Sequence, residues 1–304
     1  MSPLEVPTAP GSYRWYYVDV SNDEWSAVFI FMVGSLFSRR YVKNHGRGVA
    51  PTAHAAVNFA LYRRGRGVIW VLSEYDSAHL NEAGTTLDIG ASRFARATDG
   101  TVSISVVDRT PWWRRGVEAE LTLTPETPEC APVTLVDGLS HQWFPFAIRA
   151  KGHLRVPSHG VDFTGRAYHD GNAGQRVLGT DLPGWSWIRT HRPASSEVIY
   201  QPDDAPTWQV LASATDVQVK REARPRHPTR KTNWGLTVPR KLGVDAPVRM
   251  LESSPFYARM EATAGDVHTL GEAGDFARFR SPLVGWLADL RTRVFPSKPA
   301  RGLP

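Results

Sequence analysis

The sequence predicts an all-β protein with little helix, and three observations carry that expectation. Apolar and polar residues alternate at strand period in many short segments, turn-forming residues punctuate those segments, and helical periodicity is scarce. The series opens at 14–20 (RWYYVDV) and continues at 67–72, 101–107 and 118–124. It resumes at 152–156, 161–165, 208–211, 215–220 and 248–251. Many short strands at turn-punctuated intervals argue for barrels or sandwiches. The most apolar run, 25–37, reads as a buried strand or strand pair, because its 13 residues fall short of the ~20 that a membrane-spanning helix needs. Residues 282–293 are the best helical candidate, a short helix near the C-terminal end. No repeat indicates a propeller or solenoid.

Composition narrows the functional classes. A chain of 304 residues makes one large or two ordinary domains. Eleven Trp and twelve Phe beside four Met imply a β-rich core or a pocket for a large apolar ligand. The single cysteine, Cys130, has no disulfide partner and no neighbouring Cys or His to make a metal site, which points to a reducing compartment. The N-terminus lacks the basic and apolar regions of a signal peptide, so the expected location is cytoplasmic. A net charge of +6 and a pI near 9.6 favour anionic surfaces.

The densest charge is at 220–231, with six Lys or Arg in twelve positions. Such a run is ordinarily solvated surface. It has no interleaved aromatics, which disfavours nucleic acid, and a negatively charged bilayer is the other natural partner. Neither Gly65-Arg-Gly67 nor 171–174 has the glycine spacing of a nucleotide loop, so no cofactor is implied. The histidines lack metal-ligand spacing, and no serine has a nucleophile-elbow context.

Two clusters concentrate chemistry: His141-Gln-Trp143-Phe144-Pro-Phe146 and Tyr168-His-Asp170-Gly-Asn172-Ala-Gly174. On strands, residues two apart share a face, so His141 points with Trp143 and Tyr168 with Asp170. An acid among aromatic rings loses hydration of its charged form and keeps its proton near neutral pH. That arrangement suits proton delivery to an alkene, with the resulting carbocation stabilised by ring faces. Asp-Gly-Asn at 170–172 is equally a turn signal.

His141-x-Trp143 and Tyr168-x-Asp170-x-Asn172-x-Gly174, offset by 27 positions, resemble the active-site signature of the carotenoid 1,2-hydratases, or hydroxyneurosporene synthases. The resemblance extends from 13–19 through 31–38 and 58–62 to 254–259 and 279–283, nearly the whole chain. It implies two tandem lipocalin-like antiparallel barrels, expected at 1–178, carrying the active site, and at 179–304. It also implies cofactor-independent hydration of the terminal C1–C2 double bond of an acyclic carotenoid such as lycopene or neurosporene, with water as the second substrate. Asp170 is then the proton donor, with Trp143 and Tyr168 stabilising the cation. His141 and the Tyr168 hydroxyl position water or take its proton. Phe144, Phe146 and Asn172 complete the substrate site, Asn172 orienting Asp170. A polyene cyclase, a Diels–Alder enzyme or a non-catalytic isoprenoid carrier on the same fold are the alternatives. A substrate dissolved in lipid implies peripheral membrane contact, for which 220–231 and 282–293 are the candidate segments.

Overall fold

The computed structural model describes residues 4–136, 141–203, 205–222 and 228–295. The first sheet comprises β1 (Tyr13–Ser21), β2 (Trp25–Val33), β3 (Ala55–Arg63), β4 (Arg66–Tyr75), β5 (His79–Leu80) and β6 (Thr86–Ile89). It continues with β7 (Ser92–Arg96), β8 (Val102–Arg109), β9 (Gly116–Pro125), β10 (Val133–Thr134), β11 (Gln142–Val156) and β12 (Val161–Gly174). After a connection at 175–183 the second sheet begins with β13 (Gly184–His191), β14 (Ser195–Pro202), β15 (Thr207–Ser213) and β16 (Val217–Glu222). A separate hairpin, β17 (Thr229–Lys231) and β18 (Thr237–Pro239), precedes its remaining strands, β19 (Arg249–Ser253), β20 (Tyr257–Ala264) and β21 (Val267–Asp275). Among the described residues α-helix is confined to α1 (Arg39–Asn44), α2 (Phe276–Phe279) and α3 (Pro282–Arg291), after which β22 (Arg293–Phe295) pairs parallel with β4. Among the described residues no helix is long and apolar enough to cross a membrane.

Sequence pattern explains the layering. In β8 and β9 buried and exposed residues alternate strictly, the mark of a sheet with one wet face. Val102, Ile104 and Val106 meet Leu121 and Leu123 in the core enclosed by the curled first sheet. By contrast β1, β2 and β3 are buried almost throughout. Tyr16, Phe29, Phe31 and Phe59 point into that enclosed core, whereas Tyr17, Ile30 and Met32 point outward into a second apolar layer shared with β13, β14 and β15. The unbroken apolar run of β2 is therefore one strand covered on both sides.

The chain is all-β in two tandem sheets with a short helix near its C-terminal end; the first sheet is a curled half-barrel and neither sheet closes into a cylinder. Strand order in the first runs β22-β4-β3-β2-β1-β12-β11-β9-β8-β7-β6-β5, leaving β22 and β5 as ends. The edge of β4 that would meet β5 to close the barrel is occupied by β22. In the second, ordered β16-β15-β14-β13-β21-β20-β19, one face rests on the first sheet. Its other face is covered by Leu236, Val238 and Leu242, so closure is not needed to bury it.

An ion pair and a charge-assisted hydrogen bond fasten the two sheets. Arg189 on β13 reaches Asp19 on β1 at 2.5 Å, both almost wholly buried. Arg259 on β20 donates to the Tyr62 hydroxyl on β3 at 2.8 Å. Removing one partner of a buried pair leaves the other charge desolvated and uncompensated. Asp19→Ala is therefore expected to lower unfolding free energy by about 3–5 kcal/mol in urea titrations. A loss below about 1 kcal/mol, the range of surface pairs, would show that the pair does not hold the sheets together.

Candidate active site

Antiparallel pairing of β1 with β12 sets Tyr17 opposite Asp170 and Trp15 opposite Asn172, while β11 sets Trp143 opposite Asn172. All of these side chains leave the outward face of the first sheet, toward the second. Asp170 is buried, and its Oδ2 accepts two hydrogen bonds, from Trp143 Nε1 at 2.8 Å and from the Tyr168 hydroxyl at 2.7 Å. No hydrogen bond to Oδ1 is formed among the described residues, so that oxygen is left for the proton.

Burial drives the Asp170 carboxyl up to about 7, against the pull of its two donors and with a further push from Glu272 and Asp19. Behind it His141 is wired on both nitrogens. The Tyr13 hydroxyl donates to Nδ1, and Nε2–H donates to Asn172 Oδ1 at 3.2 Å. Burial pushes this imidazole down to about 3, so it is neutral at working pH.

Asp170 and Asn172 open onto a chamber of about 40 Å³ whose other walls include Tyr17, Trp187, Tyr200, Tyr257 and Glu272. Outside it lies a larger, mainly apolar cleft of about 320 Å³, bounded by Trp70, Leu72, Trp112, Trp234 and Leu287 among others. Ile30, Phe37 and Tyr257 line both, so the two spaces adjoin. The acid thus lies in a small chamber beside a larger apolar cleft.

The two sequence clusters do converge, in two adjacent hydrogen-bonded groups: Trp143 and Tyr168 on Asp170, and His141 on Asn172. Residues 170–172 are strand rather than turn, and Gly171 answers a packing demand. A Cβ there would lie 2.9 Å from both Phe146 and the Trp15 carbonyl oxygen. Trp143 and Tyr168 are fully buried behind Asp170 and meet it through their polar tips. The rings at the chamber wall are instead Tyr17, Trp187 and Tyr200.

Phe144 and Phe146 are not brought to the site. They point into the core of the first sheet, where Arg14 lies 3.8 Å above the Phe144 ring and Arg96 4.2 Å above that of Phe146. Strand parity is the reason, since both are out of phase with Trp143. His169 also faces that core, stacked on Phe146 at 4.8 Å and bonded to the Tyr17 carbonyl, so it is no neighbour of the Asp170 carboxyl. Sequence reasoning missed Tyr13, Trp15 and Tyr17, whose spacing of two on β1 was a readable signal. It also missed Trp187, Tyr200, Tyr257 and Glu272, which only contact between the sheets makes relevant.

Residues 29–298 match the family described as carotenoid hydratase CrtC. The chain belongs to that family. The acyclic carotenoid 1,2-hydratase of Rubrivivax gelatinosus is 32% identical, the alignment covering 86% of this chain and 67% of the relative. That of Thiocapsa roseopersicina is 29% identical over 95% of this chain and 74% of the relative. That of Cereibacter sphaeroides is 30% identical over 84% and 94%. Among solved structures, a protein described as AttH from Nitrosomonas europaea superposes with a TM-score of 0.59 at 16% identity, covering 90% of this chain and 96% of that one. CghA with Sch210972 gives 0.53 at 11% identity, covering 90% and 94%. At such identities the structural likeness is one of fold, whereas CrtC membership rests on sequence.

Asp170 also makes a stability prediction. Its folded-state value, about 7, lies above the unfolded carboxylate value, so the folded protein holds an extra proton between roughly pH 4 and 7. The stability associated with that proton is fully present below pH 4 and is lost as pH rises through 7. His141 and His169, held down near 3, bend the curve the opposite way in acid, but they are common to wild type and Asp170→Asn. The wild-type minus Asp170→Asn difference in unfolding free energy should therefore fall by on the order of 4 kcal/mol between pH 4 and 7 and stay level above. A flat difference across that range in urea titrations would remove the raised carboxyl.

Proposed function

We propose that the protein adds water across the terminal C1–C2 double bond of an acyclic carotenoid of the lycopene or neurosporene type, giving a tertiary 1-hydroxy carotenoid. One observation carries this: a carboxylic acid protonated near neutral pH, in a small chamber that shares lining residues with an apolar cleft, in a member of the carotenoid hydratase family. The end of the polyene enters through the cleft. Asp170 gives its proton to C2, leaving a tertiary cation at C1. The faces of Tyr17, Trp187 and Tyr200 stabilise that cation by about 0.5–2 kcal/mol per ring.

The two hydrogen bonds to Oδ2 act chiefly after the proton has left, because donors bind a carboxylate roughly twice as strongly as a neutral acceptor. Trp143 and Tyr168 thus stabilise the developing Asp170 anion while holding its carboxyl in place. His141 is a positioning residue: by fixing Asn172 Oδ1 it turns the amide NH₂ of Asn172 to the chamber as a donor for water.

Purified protein supplied with lycopene or neurosporene in lipid vesicles is expected to yield hydroxylated product. Asp170→Asn should lower that rate by roughly 10²–10⁴. Since the acid must be protonated to work, wild-type turnover should fall tenfold per pH unit above about 7. Asp170→Asn turning over near the wild-type rate would rule Asp170 out as donor.

Access to so insoluble a substrate is proposed to come from peripheral contact with anionic lipid. Residues 223–227 of the basic segment lie outside the described residues, and Arg230 and Lys231 beside them are exposed. Near the cleft mouth the β8–β9 hairpin carries Trp112, Trp113, Arg114 and Arg115, its tryptophans 68% and 81% exposed. Trp234 and, on α3, Leu283 and Trp286 add further exposed apolar surface. Indole rings beside cations suit a headgroup interface. Pelleting with anionic vesicles should exceed that with zwitterionic ones, weaken with salt, and fall at least fivefold in Trp112→Ser/Trp113→Ser. Equal pelleting of that variant would take the hairpin out of the interface.

A further inference from the structure

The hydration proposed above needs a group to take a proton from the attacking water, and the groups around Asp170 are poorly suited. His141 has both nitrogens engaged and is held down near 3 by burial. The Tyr168 hydroxyl is spent as a donor to Asp170. A second carboxylate, however, faces the same chamber from the opposite sheet.

Glu272 stands on β21, opposite Trp187 of β13 and Arg259 of β20. Its Oε1 accepts from Arg259 Nε at 2.9 Å, and Arg259 is itself fully buried, so the carboxylate is fixed in position. Oε2 accepts no hydrogen bond among the described residues. Glu272 lines the chamber together with Asp170 and Asn172. The chamber, at about 40 Å³, has room for about three waters, since each needs roughly 10–15 Å³ of such space. The Tyr257 hydroxyl, buried in the same wall, has no hydrogen-bond partner among the described residues, and a buried phenol of that kind is ordinarily satisfied by water.

We propose that this chamber is a water-binding site and that Glu272 is the general base of the hydration, working from the second sheet against the Asp170 acid of the first. The steps balance. The Asp170 O–H bond breaks as the alkene π pair forms the new C2–H bond. A water held between Glu272, Tyr257 and Asn172 bonds through oxygen to C1, and its proton passes to Glu272 Oε2. The carboxylic acid at Glu272 then returns its proton to the Asp170 carboxylate through a second chamber water. No other reactant is consumed. The rival is Asp170 acting alone, taking back from water the proton it gave.

This inference rests on the proposed hydration, and deuterium separates the two. Wild type, Asp170→Asn, Glu272→Gln and Glu272→Asp are given lycopene in vesicles in D2O, with alcohol yield and deuterium in recovered lycopene read by mass spectrometry. Glu272→Gln should make alcohol at least 100-fold more slowly, yet still wash deuterium into C2 of recovered lycopene, because protonation at Asp170 and its reversal survive. Asp170→Asn should do neither. Glu272→Asp keeps the charge beside Arg259 but withdraws it by one methylene. It should fold and recover part of the alcohol yield, which guards against Glu272→Gln failing to fold. Hydration by Glu272→Gln within threefold of wild type would overturn the inference in favour of Asp170 alone. Equal loss of exchange and hydration in a folded Glu272→Gln would overturn it in favour of a purely structural partner for Arg259. Hydration by Asp170→Asn would instead sink the proposed acid and leave Glu272 to be judged by its own variants.

Discussion

The site depends on keeping a carboxyl group out of water while leaving one side of it open to a reactant. Asp170 holds its proton near neutral pH because it is buried between the two sheets. The two donors on Oδ2 work against that protonation, and burial wins by about three pH units. A stronger acid would be ionised before substrate arrived. In the proposed hydration a weaker one would be a poorer proton donor to the alkene.

Much of the fold was legible because strand signals are local. Alternation at 101–107 and 118–124 became β8 and β9, and the unbroken run in 25–37 became the doubly covered β2. The group at the acid was legible for the same reason, since a spacing of two places Tyr168, Asp170 and Asn172 on one face. Applied with equal rigour, that spacing separates Phe144 and Phe146 from Trp143, and the structure does separate them. What was not legible is nonlocal. Nothing in the pattern of 184–275 says that Trp187, Tyr200 and Glu272 face Asp170, because that follows from how the sheets stack. Gly171 misleads in a related way: beside Asp and Asn it signals a turn, whereas it is required by the closeness of Phe146 and the Trp15 backbone.

Burying ionic groups between the sheets gives their stacking a fixed register. Asp19 pairs with Arg189, and Arg259 with the Tyr62 hydroxyl, across the two sheets, and each contact depends on their relative placement. A purely apolar interface of similar area would tolerate sliding, which would move the rings of Trp187 and Tyr200 relative to the acid. Whatever these pairs contribute to stability after desolvation, they are suited to specifying position.

The return of β22 to β4 gives synthesis a temporal order. Arg293 approaches Asp108 at 3.5 Å and donates to the Arg109 carbonyl, while Arg39 on α1 meets Asp289 on α3. These contacts join segments some 180 to 250 positions apart, so none can form until nearly 300 residues have left the ribosome. Until then the edge of β4 is unpaired and the cleft lacks the wall supplied by Leu287 and Ala288. A nascent first sheet therefore presents an open strand edge and an apolar face for as long as the second takes to emerge, the interval in which aggregation or chaperone capture competes with folding.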